Sequence, residues 1–185
     1  IDHPVIAIQD PLLESDQVPF ANVESMADYY MQAIQSVQNS GHYLIGGYSF
    51  GANVAFEITR QLEKQGKEAT LFIIDGWARY SDQLRDHKKS FGTMKQIVDE
   101  TSVRIPNFIH SKDKFLSLLW SRMEMLFQYY PKKIKSEVIL FKAKVILPEY
   151  EAVNELTNHW QNYSQNIVNL YTIDGSHLNI LDGNN

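Results

Sequence analysis

The sequence predicts an α/β fold in which a mostly parallel sheet carries helices on both faces and an inserted helical lid. In the first half, short apolar segments typical of buried strands alternate with amphipathic helical segments. Connections of that length are crossovers, which make neighbouring strands parallel. A charged, mostly helical stretch then interrupts the alternation before two further strand segments follow. A length of 185 residues fits one domain.

The first two elements have clear boundaries. Residues 5–9 are apolar and β-branched and end just before Pro11, which predicts a buried strand. From 23 to 38 apolar residues recur at helical spacing, Asn22 can cap the helix, and Gly41 follows it. We therefore expect a strand and then an amphipathic helix.

The next elements repeat this order. Residues 43–45 predict a second strand, and residues 71–74 predict a third. Between them lies a helix that ends at Gly66. Its apolar residues are Val54, Ala55, Ile58 and Leu62. This alternation predicts the parallel part of the sheet.

The alternation stops after Trp77. Residues from about 81 to 135 give mainly helical signals, and we interpret them as a helical lid. Strands are predicted again at 138–141 and 169–173, the last of them just ahead of His177. Residues 1–185 are therefore expected to form a single domain that the lid interrupts.

The composition excludes several classes of partner and cofactor. The chain has 17 basic and 22 acidic residues and a net charge of -5, without the positive patch that nucleic acid binding requires. The absence of cysteine excludes disulfides, thiolate metal sites and a cysteine nucleophile. No histidine pair at helical spacing with carboxylate support predicts a metal site. No apolar run is long enough for a membrane span and no signal peptide is present, so we expect a cytoplasmic protein.

The strongest motif is Gly47-Tyr48-Ser49-Phe50-Gly51, a G-x-S-x-G sequence between a predicted strand and a predicted helix. A serine hydroxyl is a weak nucleophile, and this turn exposes it beside a base in α/β-hydrolases. We therefore expect an α/β-hydrolase fold with Ser49 as the nucleophile. The backbone N–H of Phe50 is then one oxyanion donor. The alternative is that Ser49 only caps the helix.

The acid and the base follow the nucleophile in this fold, each on a loop after a later strand. Asp75 ends the third predicted strand and fits the acid, with Asp174 as the alternative. His177 follows the last strand and fits the base. The remaining histidines lie before strands, in the lid or in a polar stretch, and we expect them at the surface: His3, His42, His87, His110 and His159.

Part of the predicted lid has an apolar stripe at spacings of three and four residues. Its members are Phe115, Leu118, Leu119, Met123, Leu126 and Phe127. Such a stripe lines an acyl-binding groove or packs as ordinary core, and the sequence supports both readings equally.

Nearly the whole chain resembles the thioesterase domain that ends animal-type fatty acid synthases. The similar stretches are MADYY at 26–30, GYSFGANVAFE at 47–57, IDG at 74–76, YYPK at 129–132, VILFKAK at 138–144, GSH at 175–177 and LDG at 181–183. The resemblance implies release of a long-chain fatty acid from the phosphopantetheine arm of an acyl carrier protein in the same polypeptide. It also implies the roles given above for Ser49, Asp75 and His177, with no cofactor bound by the domain.

Other functions stay open at this point. The releasing thioesterases of polyketide and nonribosomal peptide synthases share the Gly-Tyr-Ser-x-Gly elbow and the lid, and some of them close rings. An ordinary carboxylesterase and a non-catalytic binding module on the hydrolase fold are further alternatives. Against the family pattern, we expect a fragment that lacks the first strand, with its second oxyanion donor, and the final helix.

Overall fold

Four parallel strands form the sheet in the order β1-β2-β3-β4. They are β1 (Tyr43–Tyr48), β2 (Ala69–Ile74), β3 (Glu137–Val145) and β4 (Asn169–Ser176). The computed structural model describes residues 4–13, 20–80, 112–147, 151 and 154–182. The predicted α/β class with a parallel sheet is confirmed, and each strand is longer than its apolar segment alone indicates.

In these described ranges three α-helices accompany the strands: α1 (Val23–Val37), α2 (Phe50–Lys64) and α3 (Lys112–Gln128). The Asn22 side chain accepts a hydrogen bond from the N–H of Ser25 at 2.8 Å, as expected for a cap. Gly66 has a φ of 71° just past α2, a backbone conformation that glycine adopts without strain. Within the described ranges, a helix with the length and apolarity needed to cross a membrane does not occur.

The core lies against one face of the sheet. Side chains of β1, β2 and β3 that share this face are buried together with those of α1 and α2: Tyr43, Ile45, Leu71, Ile73, Val138 and Leu140. On the opposite face Leu44 and Tyr171 are each 55% exposed, and Phe72 and Phe141 are partly buried. In the part of the chain that is described, α1 and α2 therefore cover the buried face, and the opposite face is partly exposed.

The strand predicted at residues 5–9 is wrong. These residues lie outside any strand, and Val5, Ile6 and Ile8 are 81%, 65% and 43% exposed. A β-branched sequence fits a half-buried pleated surface, but it forms a strand only when another strand pairs with it. In the described part of the chain β1 pairs only with β2, and the segment stays apart from that sheet.

A buried carboxylate, that of Glu57, ties α2 to the end of α3. Glu57 is 1% exposed and accepts hydrogen bonds from Arg60 Nε at 2.7 Å and from the Tyr129 hydroxyl at 3.1 Å. Gln61 Nε2 donates to it at 3.0 Å. Burial, followed by the nearby carboxylate, raises the pKa of Tyr129, so its hydroxyl stays protonated and donates.

Replacing Glu57 with alanine is expected to lower the free energy of unfolding by about 3 kcal/mol, because Arg60 and Tyr129 lose their buried partner. Urea denaturation measures this loss. Glu68, whose side chain is 88% exposed, provides the matched control, and its replacement should cost under about 0.5 kcal/mol. Equal losses of unfolding free energy for the two variants would show that the buried carboxylate of Glu57 stabilises the fold no more than the exposed carboxylate of Glu68 does.

Candidate active site

Three of the parallel strands end at the same edge of the sheet with a predicted site residue. Ser49 follows β1, Asp75 follows β2, and His177 follows β4. Ser49 Oγ lies 3.0 Å from His177 Nε2, and His177 Nδ1 lies 2.9 Å from Asp75 Oδ2. The fold thus brings the three side chains into one continuous hydrogen-bonded row.

Ser49 occupies a sharp turn between β1 and α2. Its φ is 52°, a region that residues with a side chain rarely adopt, and its N–H donates to the carbonyl of Ile74 at 3.1 Å. The two glycines of the motif differ in their surroundings. A Cβ on Gly47 would lie 2.1 Å from the carbonyl oxygen of Gly51, whereas a Cβ on Gly51 would meet nothing within 4 Å. The turn therefore needs glycine at position 47 for steric reasons, and position 51 has space for a side chain.

Replacing Gly47 with alanine is expected to lower the free energy of unfolding by about 3 kcal/mol or more, because the new methyl group overlaps backbone atoms that cannot rotate away. Alanine at Gly51 should change it by less than about 0.5 kcal/mol. Thermal unfolding of both variants measures the contrast. Equal stability of the two variants would contradict this account of the turn.

The backbone N–H of Phe50 lies at the start of α2, directly after Ser49. Phe50 is the first residue of α2, so its N–H has no carbonyl one turn earlier within the helix. The positive end of the helix dipole adds to the attraction for an anion there. This amide could therefore donate a hydrogen bond to an anion next to Ser49.

Asp75 is fixed by both of its carboxylate oxygens. Oδ1 accepts a hydrogen bond from the N–H of Ala143 at 2.9 Å, and Oδ2 faces His177. Asp75 is 2% exposed and has a φ of 45°. A Cβ on the next residue, Gly76, would lie 2.4 Å from the Cβ of Ala52 and 2.9 Å from the carbonyl oxygen of Ser49. The turn that carries Asp75 is thus packed directly on the turn that carries Ser49.

Residues 158–160 form hydrogen bonds to the turn that follows Asp75. The carbonyl of Gly76 accepts hydrogen bonds from Trp160 Nε1 at 2.8 Å and from Asn158 Nδ2 at 3.2 Å. Ala78 N–H donates to the carbonyl of Asn158 at 3.0 Å. Trp160 and Asn158 are fully buried. These contacts fix the backbone on the carboxyl side of Asp75.

Lys142 of β3 forms hydrogen bonds to residues 154 and 155, which precede Asn158 and Trp160. Its Nζ donates to Asn154 Oδ1 at 2.8 Å and to the carbonyl of Glu155. Burial lowers the pKa of the Lys142 ammonium. Our reading of the sequence missed Lys142, Asn158 and Trp160. One signal was available for Lys142, because it continues the alternation of Val138 and Leu140 on the buried face of β3.

The alternative acid and bases lie elsewhere. Asp174 is exposed and pairs with Lys144 Nζ at 2.6 Å. His42 Nε2 lies 2.9 Å from Thr70 Oγ1, before β1 and so away from the carboxyl ends of the strands, and His159 lies in a turn. His3, His87 and His110 lie outside the described residues. Among the residues with described side chains, groups of three or more that could hold a metal ion do not occur.

The apolar stripe of the predicted lid divides between two environments. One group of side chains packs beside Phe50 and is called the lid cluster: Trp77, Tyr80, Met123, Leu126, Phe127, Ile146 and Leu147. Leu118 is buried and Phe115 and Leu119 are partly buried outside this cluster, while Met125 and Tyr129 of the same region join the main core. Residues 81–111 of the predicted lid lie outside the described part. The apolar side chains of α3 therefore pack partly in the lid cluster and partly in the main core.

The sequence matches the model of the family described as "Thioesterase domain" over residues 2–185. Among curated proteins it is similar to the polyketide synthase PksR of Bacillus subtilis, with 33% identity over 137 residues. That match covers 74% of this chain and 5% of PksR. The chain therefore spans a small part of this relative.

Two solved structures share its fold. A four-domain nonribosomal peptide synthetase, holo-AB3403, superposes with a TM-score of 0.72 at 21% identity, over 95% of this chain and 16% of that one. The Vlm2 thioesterase domain bound with a dodecadepsipeptide gives a TM-score of 0.73 at 22% identity, over 96% of this chain and 77% of that one. Together with the parallel sheet and its helices, these likenesses support the predicted α/β-hydrolase fold.

Proposed function

We propose, since this chain belongs to the thioesterase domain family, that it releases the finished chain from a polyketide or nonribosomal peptide synthase. The reaction would cleave the thioester that joins an acyl group to the phosphopantetheine arm of a carrier protein, which we expect in the same polypeptide. Neither a bound cofactor nor a nucleic acid partner enters this proposal. The row of Ser49, His177 and Asp75 is the observation that carries it.

The relatives described above favour this reading over fatty acid release. The resemblance stated from the sequence is confirmed for the thioesterase domain family, but the fatty acid synthase assignment finds no support among these relatives. A long-chain fatty acyl substrate likewise finds no support among these relatives. A polyketide or peptidyl thioester is therefore the substrate class that we propose.

The geometry supports an acyl transfer in two halves. Ser49 Oγ would attack the thioester carbonyl while His177 Nε2, 3.0 Å away, takes the hydroxyl proton. The carbon–sulfur bond breaks, and the proton on His177 passes to the departing thiol. Water, or a hydroxyl or amine of the same substrate, then attacks the acyl-serine carbonyl while His177 Nε2 takes its proton. The bond between the acyl carbon and Ser49 Oγ breaks, and the proton passes from His177 back to Ser49 Oγ. Water yields a free acid, and an internal nucleophile yields a ring.

Asp75 and Phe50 would support these steps without reacting. Asp75 holds His177 Nδ1 at 2.9 Å, which directs Nε2 at the serine and stabilises the imidazolium that forms. The N–H of Phe50 would bind the oxyanion of the tetrahedral intermediate. The N–H of Ala143 keeps the Asp75 carboxylate in place during both halves.

The lid cluster would receive the acyl chain. Met123 and Phe127 pack against the buried members of this cluster, and so does Phe50, the residue that follows Ser49. Phe115, Leu118 and Leu119 would extend this apolar surface toward the start of α3. Each methylene group that it buries would contribute about 0.8 kcal/mol to binding.

Turnover with matched thioesters tests the proposal. The complete chain is assayed with peptidyl, polyketide-like and palmitoyl groups, each on N-acetylcysteamine and on a phosphopantetheinylated carrier domain. We expect the peptidyl or polyketide-like carrier thioesters to react fastest. Fastest release of palmitate would favour a fatty acid synthase function, and equal rates with simple oxygen esters would favour a carboxylesterase. No turnover of any ester would favour a binding module.

A further inference from the structure

Tyr48, the residue before the nucleophile, touches His177 at two places. Its ring stacks on the imidazole with centroids 5.1 Å apart and planes 26° apart. Its hydroxyl donates a hydrogen bond to the backbone carbonyl of the same histidine. One side chain of β1 therefore contacts both the ring and the main chain of a residue that lies 129 positions later.

We propose that Tyr48 is a positioning residue that sets the ring plane and the backbone of His177 for proton transfer with Ser49. This inference rests on the proposed function and deepens it. It assigns a role to the first variable position of the G-x-S-x-G motif.

His177 needs such support because it lies just beyond the ladder of β4. The turn that follows it is held by short-range contacts, among them a hydrogen bond from the N–H of Ser176 to Asn179 Oδ1 at 2.6 Å and one from the N–H of Ile180 to the carbonyl of Ser176 at 2.9 Å. These contacts order the turn itself. The Tyr48 hydroxyl connects the turn to the strand that carries the nucleophile.

The hydrogen bonds to Asp75 and Ser49 hold the two ring nitrogens of His177, but they do not by themselves set the tilt of the imidazole plane. The stacked Tyr48 ring limits this tilt, because its plane lies 26° from that of the imidazole. The centroid of the Trp77 ring lies 5.3 Å from that of the His177 imidazole, and the two planes are tilted by 51°. Trp77 therefore limits the space around the imidazole but does not set its plane. The Tyr48 face would also attract the imidazolium that forms when His177 takes the serine proton.

Three variants separate these effects. Tyr48→Phe keeps the ring and removes the hydroxyl, and Tyr48→Leu removes both. Tyr171→Leu is the matched control, because Tyr171 lies on the same face of the sheet and its ring packs on Phe141. The readouts are kcat and KM for a thioester, the rate at which a fluorophosphonate labels Ser49, and the melting temperature.

We expect Tyr48→Phe to lower kcat and the labelling rate by about threefold and Tyr48→Leu to lower both by about thirtyfold, with KM changed less than about twofold. Tyr171→Leu should leave kcat, KM and the labelling rate unchanged. A purely structural role would instead lower the melting temperature and leave the folded fraction fully active. Should Tyr48→Leu not fold, Tyr48→Met provides the comparison without a ring.

A folded Tyr48→Leu or Tyr48→Met protein with a labelling rate within about threefold of the unchanged chain would overturn the proposal. The labelling assay does not depend on the thioester substrate. An unchanged chain that is labelled at Ser49 but turns over no thioester would therefore contradict the proposed function alone.

Discussion

Replacing Ser49 with alanine is expected to reduce thioester hydrolysis by about 10⁴-fold or more, because no other group takes over the attack on the carbonyl. In the structure Ser49 is the hydroxyl that faces His177 Nε2. The loss should appear in kcat when release of the carrier thiol is followed. The fold should be retained, since removing one hydroxyl leaves the turn and its backbone hydrogen bonds in place.

Ser36→Ala is the matched control for this experiment. Ser36 lies on α1 and its hydroxyl donates only to the local carbonyl of Ala33. That variant should hydrolyse thioesters at the original rate. If Ser49→Ala kept activity within about tenfold of the unchanged chain, Ser49 would not be the nucleophile.

The second large effect is expected for Asp75→Asn, about 10⁴-fold in kcat. Oδ1 of Asp75 accepts the N–H of Ala143, and only an oxygen can keep this bond in the variant. The amide nitrogen of asparagine must then face His177 Nδ1. That contact selects the tautomer with its proton on Nε2, which cannot accept the serine proton. The N–H of Ala143 thus determines which atom of the asparagine amide faces His177.

Asp174→Asn separates this acid from its alternative. Asp174 is exposed and paired with Lys144, so its substitution should leave kcat unchanged. Steady-state kinetics with one thioester substrate compares the two variants. Loss of turnover in Asp174→Asn with little effect in Asp75→Asn would move the role of the acid to Asp174.

The residues of the hydrogen-bonded row could be chosen from the sequence because each one ends a strand. Ser49 lies in a motif of fixed spacing, and Asp75 and His177 follow strongly apolar segments. Parallel strands bring such positions to one edge whatever the remaining sequence is. The helices α1 and α2 were likewise predicted correctly from their apolar spacing, with the Asn22 cap at the start of α1 and Gly66 just past the end of α2.

The features that were missed depend on contacts between distant parts of the chain. The strand predicted at residues 5–9 has the right composition, but within the described residues it pairs with no strand. Tyr48 occupies a position that the motif leaves free, and its contact with His177 exists only once β4 has joined the sheet. Trp160 and Asn158 lie in a polar stretch without periodicity, which gave no sign that they reach Gly76.

The position of His177 after β4 has a consequence for how the protein loses activity. In the described sheet β4 is an edge strand, and it has no fully buried residue along its length. Edge elements with little buried surface open at a lower free-energy cost than the core does. A transient detachment of β4 would remove the base while the serine turn between β1 and α2 stays intact. Inactivation on heating would then precede melting of the core and reverse on cooling.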